Sequence, residues 1–202
     1  MPPKIKHRYT DQGKEYLPAA QFKIKHKDYF NWKYLYTLLH EWVVEEGWAS
    51  RDDKTFPEHL YLHRETQKLG NEVWVYWRLT KQAVENPFWR YDLDIDVHVV
   101  GLKDTEIMFK GKKYKVNFGE PEVKIWSKIV FDHKREWQKH PIMSRLKRVF
   151  FRRIIKTNIE QHKKQLYLES YRLQEAIKTY FKLSTYLPEI EGQEFFEVKP
   201  VP

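Results

Sequence analysis

The chain has 202 residues, with Lys+Arg 37 against Asp+Glu 28, a formal net charge of +9, no cysteine and 16% aromatic residues. That length suits one domain with arms, and the lack of cysteine excludes a disulfide framework, a Cys-ligated metal centre and a thiol nucleophile. No apolar run approaches the ~20 residues of a membrane span, and the N-terminus MPPKIKHRY has no apolar signal stretch, so a soluble cytoplasmic protein is expected.

Residues 1–27 read as a basic arm, with seven Lys/Arg against Asp11 and Glu15. Within it Phe22, Ile24 and His26 alternate with Lys23, Lys25 and Lys27, a strand period that must dock on its own sheet or on a neighbouring subunit. A helix is expected over 28–47. Asp28 can cap it, Leu35, Leu38, Leu39 and Trp42 form a stripe, and Gly47 suits its C-terminal stop.

Residues 57–132 read as an antiparallel meander of about five to six strands. Leu60 and Leu62 alternate with Tyr61 and His63, and Val73, Val75, Trp77 and Leu79 give the next strand its buried face. Leu93, Ile95, Val97 and Val99 alternate with Asp92, Asp94, Asp96 and His98. A short hairpin turns at Lys110-Gly111-Lys112, and Gly119-Glu120-Pro121 leads to a last strand from Val123 to Phe131. From 133 to 187 the pattern is helical, with capping-box form at Thr157 and Glu160, and 188–202 is an extended tail. The expected fold is α+β: one domain over 28–187 with extended arms at both ends.

Motifs for chemistry are missing. The glycine spacing allows neither G-x-G-x-x-G nor a phosphate-binding P-loop, no serine lies in G-x-S-x-G, and H-E-x-x-H does not occur. No catalytic residue and no cofactor is therefore expected. Among the candidates for contact, Arg145, Arg148, Arg152 and Lys156 fall at helical spacings of 3, 4 and 4, with Arg153 beside them. Such a row suits phosphates, an anionic lipid surface or acids on another subunit. Asp92, Asp94, Asp96 and His98 are the metal candidates, but neighbours ~6.8 Å apart on one strand cannot close a metal shell alone. Cross-strand ion pairs with Arg78, Lys124 and Lys128 are expected instead.

Trp74 and Tyr76 share a strand face opposite Val73, Val75 and Trp77, and Trp126 sits between Lys124 and Lys128. Large aromatics on both faces of a sheet call for cover on both, and a second copy of the chain can supply it. Phe22, Ile24, Phe195 and Phe196 in the arms join Trp74, Tyr76 and Trp126 as an expected assembly surface.

The segments YLYTLLHEWVVEEGW (34–48), NEVWVYWRLTKQ (71–82) and 97–132, followed by Trp137 and 150–181, resemble in their order a family of uncharacterised proteins from small-genome archaea. The Gly-Lys-Lys hairpin and the R-x-I-I-x-x-x-I-E stretch that opens at Arg152 are the nearest matches. The resemblance implies archaeal origin and no known activity, and abundant Lys and Glu without Cys fits a heat-adapted source. Three functions fit the sequence. The first is a non-enzymatic structural protein that self-assembles into a homo-oligomer or filament. The second is a binder of nucleic acid, the ribosome or an anionic membrane through the basic helix. The third is a small-ligand-binding or enzymatic domain.

Overall fold

The computed structural model describes residues 16–52, 54–66, 70–83, 89–109, 112–134, 139, 141 and 156–182. Its elements are β1 (Tyr16–Lys25), β2 (Asp28–Phe30), α1 (Trp32–Glu45), β3 (Glu58–Arg64), β4 (Asn71–Gln82), β5 (Trp89–Phe109), β6 (Lys112–Phe131) and α2 (Lys156–Tyr180). The six strands form one antiparallel sheet in the order β1-β6-β5-β4-β3, with β2 also paired to β6. The class is α+β, as expected.

Directly opposed residues of an antiparallel pair share a sheet face. Register therefore places Val75, Val97 and Val123 in one row, and Trp77, Ile95, Ile125 and Phe22 in the next. Both helices cover this face. From α1, Tyr36 and His40 meet the Trp77 ring edge-on. From α2, Leu166, Ser170, Leu173 and Ile177 are buried at spacings that form one helical stripe. The Ser170 hydroxyl lies 2.8 Å from the Ser127 hydroxyl, so two small side chains let helix and sheet approach closely.

One open alternative is decided and two expectations change. The strand in the N-terminal arm docks on its own sheet, along β6, with Ile24 opposite Val123 in the core. The cap of α1 is Asn31 rather than Asp28: its side chain accepts from the Tyr34 amide, while Asp28 begins β2. The short hairpin and its flanking strands are also not separate. They merge into β5 and β6, strands of 21 and 20 residues.

Two local features let those strands run on. Gly101 adopts φ 67, and the register slips between Val100 and Lys103, so β5 bulges opposite Gly119. Pro121 lacks an amide donor, but His26 donates to its carbonyl at 3.1 Å. The missing N–H therefore lies on the same side, in the gap between β1 and β2, and the ladder to β5 is spared.

Candidate functional site

The face away from the helices carries the acidic ladder. Along β5, Asp92, Asp94, Asp96 and His98 oppose Thr80, Arg78, Tyr76 and Trp74 of β4. On the other side they oppose Lys128, Trp126, Lys124 and Glu122 of β6. Alternation alone sets this arrangement, because every second residue of a strand shares a face.

The acids are held by cations. Arg78 Nη1 reaches Asp96 Oδ1 at 2.5 Å, and its Nε lies 3.8 Å from Asp94 Oδ1. Lys128 Nζ is 3.4 Å from Asp94 Oδ2. Arg90 takes both oxygens of Asp92, at 2.7 and 2.9 Å. Of the expected partners, Arg78 and Lys128 fill the role. Lys124 turns instead to Glu122 at 2.8 Å. Arg90, two residues along the same strand, is a partner that the cross-strand reading missed.

This network is buried: Asp92 and Lys128 are 0% exposed, Asp94 2% and Arg78 3%. Burial holds the Lys128 ammonium below the usual lysine range, and the Asp94 charge resists that shift. The ammonium also sits 3.1 Å from the centre of the Trp126 ring, a cation–π contact on the polar face. Burial would raise the Glu122 carboxyl, but hydrogen bonds and charge from Lys124 and Lys23 bring it down to about 2.

A depression of about 370 Å³ opens beside the network, lined by Gln21, Lys23, Asp94, Asp96, Lys124 and Trp126 among others. Its acids serve the ion pairs above, so the chemistry is that of a tie across β4, β5 and β6. Among the described residues no group of three or more His, Asp or Glu is placed to hold a metal ion. His98 stacks on Trp74 with 12° between ring planes, and burial lowers its pKa. On the helix face, the Tyr91 hydroxyl forms a short hydrogen bond with His162 Nδ1, and Trp89 meets the imidazole edge-on. Sequence reading did not pair these two. Only the packing of α2 on β5 brings them together.

The expected assembly residues divide. Ile24 and Trp74 are each 4% exposed within a single chain, so neither presents surface to a neighbour. Phe22 is half-buried against Tyr171 of α2. Tyr76 is half-buried beneath the Arg78 guanidinium, and Trp126 beside Lys128. Phe195 and Phe196 lie outside the described residues, as do Arg145, Arg148, Arg152 and Arg153. Lys156 is the first residue of α2.

Exposed apolar side chains occur on several elements, among them Tyr29, Met108, Phe118 and Leu168, and on the edge strand β3 Tyr61 is one of them. Among the described residues no strand pairs with the outer edge of β3. Leu60 and Leu62 oppose Tyr76 and Trp74 on the polar face and are half-buried. Tyr61 points to the helix face and is 47% exposed. Its hydroxyl accepts from Trp32 Nε1 at 3.4 Å, and its ring meets Tyr36 edge-on. The edge therefore carries apolar side chains on both faces and an aromatic lip from α1.

Searches against protein-family models, curated proteins and solved structures give no match to this chain. No helix among the described residues is long and apolar enough to cross a membrane.

Proposed function

We propose that the protein is a non-enzymatic structural protein that associates with copies of itself through the β3 edge of its sheet. The observation that carries this reading is the run Leu60-Tyr61-Leu62 on an edge strand, apolar on both faces. An exposed edge with apolar side chains is a template for another strand, and proteins that remain monomeric blunt such edges. The opposite edge of this sheet is blunted in that way. In β1, Pro18 removes a donor, the register slips between Pro18 and Ala20, and the partly exposed Lys23 and Lys25 pair with Glu122 and Glu120 of β6. β3 has an irregularity of its own between Glu58 and Leu60, so it is the apolar run Leu60-Tyr61-Leu62 that distinguishes it.

The aromatic faces named from the sequence contribute less, because Trp74 and Ile24 are covered within one chain. Light scattering on the full chain tests the proposal. Dimers or larger species at tens of micromolar, reduced to monomer by Leu60→Asp with Leu62→Asp, are expected. A monomer at that concentration, together with salt-sensitive binding of a mixed-sequence oligonucleotide, would shift the reading to a polyanion binder.

A further inference from the structure

We infer that two copies join by antiparallel pairing of β3 with β3, on a two-fold axis that passes through Tyr61. This rests on the self-association proposed above and specifies its geometry. A two-fold axis makes the contact isologous, so the strand must complement itself read backwards. The stretch His59-Leu60-Tyr61-Leu62-His63 reads the same in both directions about Tyr61.

Face parity limits the possible registers. Opposed residues share a face, and a one-residue slip would set Tyr61, on the helix face, against Leu60 or Leu62 on the polar face. The axis must therefore pass through a residue. An axis through Leu60 sets Glu58 opposite Leu62. The irregularity between Glu58 and Leu60 has turned Glu58 to the helix face, where Tyr36 and Trp77 donate to its carboxylate at 2.8 and 2.9 Å. An axis through Leu62 sets Arg64 against Leu60, charge over hydrocarbon. An axis through Tyr61 sets Leu60 on Leu62 twice and Tyr61 on its own copy. It also brings the two Trp32–Tyr36 lips together over the joined helix faces. Apolar meets apolar at each of the three central pairs. Regular pairing ends there, because the irregularity puts His59 out of register and leaves Glu58 and Arg64 on different faces.

The chain contains no cysteine, so a single introduced thiol reports the register without background. Opposed Cα atoms at ~4.5–5.5 Å fall within the reach of a disulfide. With the axis at Tyr61, oxidised Tyr61→Cys should run mainly as a disulfide dimer, at least about fivefold above His63→Cys, whose thiols lie ~13 Å apart along the strands. As an independent check, a mixture of Leu60→Cys and Leu62→Cys chains should form the mixed disulfide in preference to either homodisulfide. Scattering on the unmodified chain separates the two levels of the proposal. A monomer overturns self-association itself. A dimer in which Tyr61→Cys stays uncrosslinked, or in which another position crosslinks better, overturns the two-fold register alone.

Discussion

The Tyr180 hydroxyl makes a two-way bridge to Asn31: it accepts from the Asn31 amide at 2.8 Å and donates to the Asn31 carbonyl at 2.9 Å. Asn31 is also the cap of α1, its side-chain oxygen accepting from the Tyr34 amide at 3.0 Å. One hydroxyl thus ties the C-terminal end of α2 to the N-terminal end of α1. Burial pushes the Tyr180 pKa up to about 12, and the bond to Asn31 works against that shift.

Tyr180→Phe should cost about 1–3 kcal/mol in urea unfolding, because the Asn31 amide loses its partner in a partly buried place. The pH dependence has a definite sign. A tyrosine raised above its ordinary value of 10.0 favours the fold while neutral, so its contribution is complete below pH 10 and is lost as pH climbs towards 12. Melts at pH 9 and 11.5 should show a smaller alkaline loss in the variant than in the parent protein.

Gly70 tests the close packing at the bulge of β5. It adopts φ 87, and an added Cβ would stand 2.9 Å from the Gly101 carbonyl carbon. Gly70→Ala should destabilise by about 1–3 kcal/mol through backbone strain and this clash. Gly47 has φ 71 but open space around it, so Gly47→Ala should show the strain without the clash and cost less.

The buried network should respond to geometry as well as to charge. Arg78→Met leaves Asp94 and Asp96 facing each other with one cation fewer and should cost about 3–5 kcal/mol. Arg78→Lys keeps the charge, but a lysine cannot span both carboxylates as the guanidinium does, so an intermediate loss is expected. A chelator should leave the melting temperature of the parent protein unchanged. A large drop reversed by one divalent ion would contradict the ion-pair account.

His98 gives an acid leg. Burial keeps its folded pKa below 6.5, so the unfolded chain takes up a proton that the folded one resists. Stability should fall as pH drops through 6.5, and His98→Gln should flatten that leg. The Glu122 contribution lies lower. It is present above pH 4.5 and is lost as pH falls towards 2, so the two groups separate in a pH series of denaturant melts.

Much of this fold is legible in the residues. The alternation of Leu93, Ile95, Val97 and Val99 with the acids shows both faces of β5, and the cations Arg78 and Lys128 follow from pairing adjacent strands. What alternation does not carry is continuity. Gly119-Glu120-Pro121 looks like a break, yet the bulge at Gly101 and a gap between neighbouring strands absorb it. Burial is hidden for the same reason. Trp74 and Ile24 look exposed on a list of strand faces, and only tertiary packing covers them. The β3 edge is the reverse case. Leu60, Tyr61 and Leu62 read as an ordinary strand until the sheet order puts them at its margin.

Sedimentation velocity across a concentration series tests the central claim most directly, because it reads mass without any label or substitution. The chain weighs 24.9 kDa. Self-association through β3 requires a species of at least twice that mass that grows with concentration, persists in high salt and disappears in the Leu60→Asp, Leu62→Asp variant. A single species at the mass of one chain, unchanged from low micromolar to several hundred micromolar, would contradict it.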